Sequence, residues 1–339
     1  MRVGDLGEFE LIGRLQQLIP SERPDVIVGI GDDVAVLSAQ GDVLLLATSD
    51  SQVEQVHFVR HLIAAEQLGR RALAVNLSDI AAMGGRPSYA LISLALPAKT
   101  DVAWIEDVYR GMHLEAERAK VAIVGGNVTR SPDVIQIHLT LLGQVRRDHL
   151  LLRSGAHPGD RVLVTGWLGD AAAGLRLALD PELPITPSDR ETLLSRYCTP
   201  TPRLAEAAVI ARLGLATAML DLSDGLSSDI GHICDQSRVG VCLHAADLPI
   251  LDPARQVAEL AELAPWQMAL SGGDDYELCF TASPNAVDAL VAAVAAETST
   301  PVTVIGEILP DAEMRQLTLP NGQIIPLTSS GWEHFKRHT

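Results

Sequence analysis

The stretch Ala216-Thr217-Ala218-Met219-Leu220-Asp221-Leu222-Ser223-Asp224-Gly225-Leu226 passes from an apolar run through an acidic turn towards a helix. The pattern predicts a strand over 216–220 and a helix over 227–236, with Asp229 in its first turn. A strand–turn–helix junction places turn residues at a helix N-terminus, where anions such as phosphate are favoured.

The same grammar recurs along the chain. A predicted strand over 25–30 runs into Gly31-Asp32-Asp33, and one over 43–48 into Thr48-Ser49-Asp50-Ser51. A short strand over 121–124 meets a glycine turn, Gly125-Gly126-Asn127-Val128-Thr129-Arg130. A further acidic turn reads Gly272-Gly273-Asp274-Asp275-Tyr276-Glu277. The helix predicted over 66–83 carries Asn76 and Asp79 on one face, and their apolar flanks suggest that both are buried. Taken singly, each cluster is an Asx-turn or a cap. Together they gather nine aspartates in five clusters beside glycine and hydroxyl residues, the donor chemistry of hard divalent cations.

The remaining periodicity predicts helices over 102–120, 203–213 and 253–263, and strands over 89–96, 134–145, 161–165, 239–244 and 277–281. An Ala/Leu-rich helix follows Gly166-Trp167-Leu168-Gly169, and the proline-bearing segment 180–202 reads as irregular. These alternations predict an α+β (mixed α/β) fold in two domains, residues 1–150 and 151–339.

The net charge of −17 argues against nucleic acid, which selects basic surfaces. It is compatible with a small phosphorylated ligand approached through metal ions. Only three lysines occur, Lys99, Lys120 and Lys336, so cationic work near phosphate falls to arginine, metal or backbone N–H groups. No apolar run is long enough to span a bilayer and no signal-peptide pattern opens the chain, which predicts a cytoplasmic protein. Four cysteines without C-x-x-C spacing read as buried thiols in a reducing compartment. There is no P-loop, no kinase H-R-D or D-F-G signature and no G-x-S-x-G elbow.

In order, G-I-G-D-D (29–33), T-S-D-S (48–51), V-E-Q-V-H-F (53–58), A-V-N-L-S-D-I-A-A-M-G (74–84), G-G-N-V-T-R (125–130), D-L-S-D-G-L (221–226) and G-G-D-D-Y-E-L (272–278) resemble the thiamine-monophosphate kinase family, of the aminoimidazole-ribonucleotide-synthetase superfamily. The resemblance runs from Gly7 to Phe335. It implies ATP-dependent phosphorylation of thiamine monophosphate to thiamine diphosphate. It further implies a homodimer whose N-terminal halves share a β-barrel, with a C-terminal α/β domain completing the site.

Carried over by position, the resemblance implies several Mg²⁺ ions on Asp33, Ser49, Asp50, Asp79, Asn127, Asp221 and Asp224. Asp50, Asp79 and Asp224 would be central to catalysis. ATP would also meet Gly126, Asn127, Arg153 and Ser223, and thiamine monophosphate would face His57, Asp274 and Trp332. Two positions depart from the family pattern. Asn127 stands where an aspartate is usual and brings no charge. Asp274 stands for a glutamate and is one methylene shorter.

Overall fold

The computed structural model describes residues 3–5, 7–18, 23–332 and 334; Phe335, at the end of the resemblance, lies outside them. Among the described residues the chain builds two sheets and ten α-helices, a mixed α/β fold in two parts.

The first part holds α1 (Glu8–Leu18), β1 (Val26–Val28), β2 (Ala35–Ser38), β3 (Val43–Val53), α2 (Ala65–Ala82), β4 (Arg86–Leu96), α3 (Val102–Ala119), β5 (Ala122–Arg130) and β6 (Gln136–Arg146). Its sheet runs β1-β2-β3-β6-β4-β5, antiparallel except for the β4–β5 pair. Strand alternation sends Leu44 and Leu46 of β3, Ala90, Ile92 and Leu94 of β4, and Ile137, Leu139 and Leu141 of β6 to one face. There they pack on Leu68, Leu73, Leu77 and Ile80 of α2 and Val108 and Met112 of α3. The opposite face is uncovered, leaving Tyr89 and Leu91 exposed. The sheet of a single chain is open and does not close into a barrel.

The second part holds β7 (Arg161–Thr165), α4 (Asp170–Leu179), α5 (Pro187–Cys198), α6 (Leu204–Leu213), β8 (Ala216–Asp221), α7 (Leu226–Ser237), β9 (Gly240–His244), α8 (Asp252–Leu260), α9 (Pro265–Ser271), β10 (Leu278–Ala282), α10 (Val287–Thr298), β11 (Val302–Leu309), β12 (Arg315–Thr318) and β13 (Ile324–Pro326). The sheet order is β13-β12-β9-β11-β7-β10-β8. One face is covered by α4, α7, α8 and α9, and the other by α6 and α10. Ala81 of α2 joins the core beneath α6, so α2 touches both halves.

Three expectations are corrected. Thr48-Ser49-Asp50-Ser51 does not end a strand; β3 continues through it to Val53, hydrogen-bonded along its length to β6. Gly125 to Arg130 is no turn but the exposed edge strand β5. The 180–202 segment contains a helix, α5, because Thr186 caps it through the Asp189 amide and Pro187 occupies the first turn, where its missing N–H costs nothing.

Helices α2 and α3 lie so close that a Cβ on Gly69 would collide with the Val108 carbonyl. Gly69→Val should therefore cost about 1–3 kcal/mol of stability, seen as a lower urea midpoint at unchanged slope. An unchanged midpoint would contradict this packing.

Candidate active site

Helix α2 organises the site. On its sheet-facing side, Asp79 accepts from Thr48 Oγ1 at 2.6 Å, and the Asn76 carbonyl oxygen accepts from the Asp50 amide at 3.2 Å. Asn76 is anchored by its own Nδ2 donating to the Ala72 carbonyl. Between them, Ser78 donates to Asp221 Oδ2 at 2.5 Å, tying α2 to the end of β8. Sequence reading marks Asn76 and Asp79 as buried; Asn76 is fully so, and Asp79 is half-buried.

From the other side, Arg153 pairs with Asp33 through Nε and Nη2 and donates its amide to Asp32. Asp224 follows Asp221 in the turn, and Asp229 closes that turn by accepting from the Gly225 amide at 3.0 Å. The acidic turn after α9 is zipped against it: Asp274 N donates to Ser223 O and Tyr276 N to Leu222 O. Gly273 makes this possible, because any Cβ there would press on the Ser223 carbonyl. The structure thus brings Asp33, Asp50, Asp79 and Asp221 close enough to act on one another, with Asp224 and Ser223 in the turn after β8 and Arg153 on Asp33.

His57, Asp274 and Trp332 form an adjoining corner. His57 lies 5.1 Å from the ring of His334, which is 5.9 Å from Trp332. The Trp332 amide donates to the Asp224 carbonyl, fixing this C-terminal strap beside the carboxylates. Arg71 and Tyr276, which sequence reading did not single out, both bond to Asp274. The sequence offers only an arginine in an Ala/Leu-rich helix, a signal Arg71 shares with Arg70.

Two expected ligands sit apart. Ser49 lies on the face of β3 opposite Asp50, and its hydroxyl donates to the Leu139 carbonyl. Gly126 and Asn127 are exposed on β5; across the sheet Asp50 pairs Leu139, Leu139 pairs Ile92, and Ile92 pairs Gly126. Three strand spacings put roughly 14 Å between β3 and β5.

Burial first, and then the crowding of carboxylates, sets the electrostatics. Burial, then Asp50 and Asp221, push Asp79 well above the ordinary carboxylate range. Burial and then Asp33 raise Asp221 to about 7, and burial, then Glu8, raise Asp224 to about 7. Burial also raises Asp33 and Asp50. His57 is pulled down to about 4, first by burial and then by His334, so it is neutral at pH 7. Its Nδ1 accepts from the Val53 amide, which leaves the proton on Nε2. The donor set is all oxygen, and Asp33 Oδ2 is buried with no protein partner. Oxygen donors suit hard divalent cations; among the described residues no three of these side chains are placed to hold one ion together.

The residues match two family models: the AIR synthase related protein N-terminal domain over 31–145 and its C-terminal domain over 157–315. The Escherichia coli K12 thiamine-monophosphate kinase is 37% identical over 329 residues, 97% of this chain and 98% of that protein. This chain belongs to the thiamine-monophosphate kinase family. The Bacillus subtilis thiamine-monophosphate kinase is 34% identical, covering 98% of this chain and all of that one. A solved structure, AaThiL complexed with AMPPCP and TMP, superposes with a TM-score of 0.86 at 34% identity, covering 98% and 99% of the two chains.

Asp221 and Asp224 bind protons more tightly folded than unfolded, so their contribution is full below about pH 4 and is lost as pH rises to about 7. Metal-free protein should show a falling Tm between about pH 4 and 7. A flat or rising Tm in chelator would contradict the burial of these groups.

Proposed function

We propose that this chain transfers the terminal phosphoryl group of ATP directly and in line onto the phosphate of thiamine monophosphate. The observation that carries this reading is the approach of carboxylates from both halves of the chain, Asp33, Asp50 and Asp79 with Asp221 and Asp224, close enough to act on one another, with Arg153 held on Asp33. The family relatives are thiamine-monophosphate kinases, and the AaThiL structure is a complex with AMPPCP and TMP. We assign Asp33, Asp50, Asp79, Asp221 and Asp224 to several Mg²⁺ ions, with Asp50, Asp79 and Asp224 central to catalysis. Bound Mg²⁺ would offset the repulsion between the two phosphate-bearing reactants. Ser49 can join only through its backbone carbonyl, since its hydroxyl is committed to the other sheet face.

The chain's own groups supply position and charge, which is most of what phosphoryl transfer asks. Arg153, held on Asp33, offers a fixed guanidinium beside the carboxylates. With Ser223 it is assigned to the nucleotide. His57, neutral with a donor at Nε2, is assigned to the substrate together with Asp274. A phosphate acceptor whose second pKa is about 6 is already ionised at neutral pH and needs no strong base. Trp332 is assigned to the cationic thiazolium, a contact worth roughly 0.5–2 kcal/mol.

We also infer a homodimer, which supplies the missing part of the barrel. The uncovered sheet face and the edge strand β5, with Val124 57% and Val128 69% exposed, support this reading. Gly126 and Asn127 of one copy would then reach nucleotide and metal in the neighbour's cleft. We place the domain boundary at 150/151, between the two matched regions. No described helix is long and apolar enough to cross a membrane, and the four free cysteines are buried; we assign the protein to the cytoplasm.

ATP, Mg²⁺ and thiamine monophosphate incubated with the protein should yield thiamine diphosphate, with no covalent phosphoprotein on the path. Asp50→Ala should lower kcat at least about hundredfold while circular dichroism stays unchanged; near-normal kcat would remove Asp50 from the machinery. Val128→Lys should halve the mass measured by light scattering and abolish turnover together. A monomeric variant with full activity would refute the shared site.

A further inference from the structure

Arg71 is a cation in an unusual place. It projects from the middle of α2 and is only 3% exposed. Its Nη1 donates to the Tyr197 carbonyl at 2.6 Å, its Nη2 donates to Asp274 Oδ2 at 2.7 Å, and its guanidinium lies 4.9 Å from the Tyr197 ring centroid. It therefore ties α2 of the first half to α5 and to the acidic turn of the second. Tyr276 donates to the other Asp274 oxygen at 3.1 Å. Both oxygens of Asp274 are thus committed, on a residue whose backbone sits at φ +67°, a region non-glycine residues seldom occupy.

We propose that Arg71 is the positioning residue for the thiamine-monophosphate side of the site, acting through Asp274. This rests on the kinase reading above. Asp274 is short and sits on a turn, so it cannot set its own direction. Arginine offers two donors in a planar fork, and here one is spent on a backbone carbonyl, which fixes the plane in which the other meets the carboxylate. The burial of the guanidinium and its ring contact remove the freedom an exposed pair would have. The same helix carries Asp79 eight residues on, roughly 12 Å along its axis. One rigid element therefore sets the distance between the carboxylate that faces the organic part of the substrate and those assigned to phosphate and metal. Loss of Arg71 would leave Asp274 half-buried with one neutral partner, Tyr276, and free to turn away from its present direction.

The test is steady-state kinetics with each substrate varied separately. Arg71→Ala should raise KM for thiamine monophosphate about tenfold or more, the scale of a lost hydrogen bond to a charged group. KM for ATP should stay within about twofold, because the Arg71 guanidinium touches Tyr197 and Asp274 and none of the groups assigned to the nucleotide. The Arg71→Ala/Asp274→Asn double variant should be no worse than Asp274→Asn alone. Arg71→Lys keeps the charge but loses the fork, and adding Asp274→Glu, one methylene longer, should recover KM by letting carboxylate and ammonium meet. That pair also serves if Arg71→Ala fails to fold.

A purely structural arginine would lower kcat with the folded fraction and leave both KM values in place, which would overturn the proposal. Additive effects in the double variant, or no recovery by the lysine–glutamate pair, would do the same. Failure of the kinase reading is distinct: the unaltered protein would then make no thiamine diphosphate at all.

Discussion

The mutual repulsion of buried carboxylates is the constraint from which the rest of this structure follows. Asp33, Asp50, Asp79 and Asp221 are raised above their ordinary pKa first by burial, and repulsion links all four: Asp79 with Asp33, Asp50 and Asp221, and Asp221 with Asp33 and Asp50. Such a cluster destabilises the fold unless a cation or protons answer it. What holds the groups there is the apolar packing behind them. Leu68, Leu73, Leu77 and Ile80 of α2 are fully buried against the first sheet, and Ala81 is buried in the core of the second half. Helix α2 is thus wedged between two cores, and its polar residues have no freedom to separate. Ser78 and Thr48 each give one hydrogen bond to a carboxylate, enough to orient it without neutralising it.

Helix α2 was also the most legible part of the sequence. The predicted span 66–83 differs from Ala65–Ala82 by one residue at each end, because Gly84-Gly85 and Pro87 punctuate it unambiguously. Burial of Asn76 followed from its apolar flanks. The strand at 48–51 was misread because Thr, Ser and Asp are turn formers locally, whereas eleven consecutive pairings between β3 and β6 override that preference. The same applies to Gly125-Gly126-Asn127: β4 draws it into an edge strand, and glycine fits because a Cβ on Gly126 would strike the Ile92 carbonyl. Segment 180–202 hid a helix because prolines were counted as breakers without regard to position, and Pro187 stands where a helix accepts one. Arg71 was missed because nothing local distinguishes it from Arg70; only the fold shows that one is buried against Asp274 and the other borders Glu115.

The separation of Asn127 from Asp50 has a consequence for how the site is built. Residues that share a strand are fixed to within a rigid sheet, yet these two stand three strands apart in the same chain. A site that needs both cannot be assembled by side-chain rotation over such a distance. Either the edge strand serves a different cleft, or a second copy brings its own. The exposure of Val124 and Val128 favours the second, since an apolar edge with unpaired backbone groups is a template for another chain.

The acceptor chemistry makes sense of what the site lacks. A kinase acting on a hydroxyl gains from a base near neutrality, and the histidine in this site is held at about 4 by burial and by a second histidine. It is a poor proton acceptor at pH 7 and, with its proton on Nε2, a ready donor. That is the wrong group for making a nucleophile and a suitable one for holding a phosphate that is a nucleophile already. The energetic obstacle is therefore charge against charge. The chain answers it by gathering its carboxylates where cations would be held and by placing Arg153 among them. Arg71 stands eight residues along α2 from Asp79, where it fixes a carboxylate for a different task.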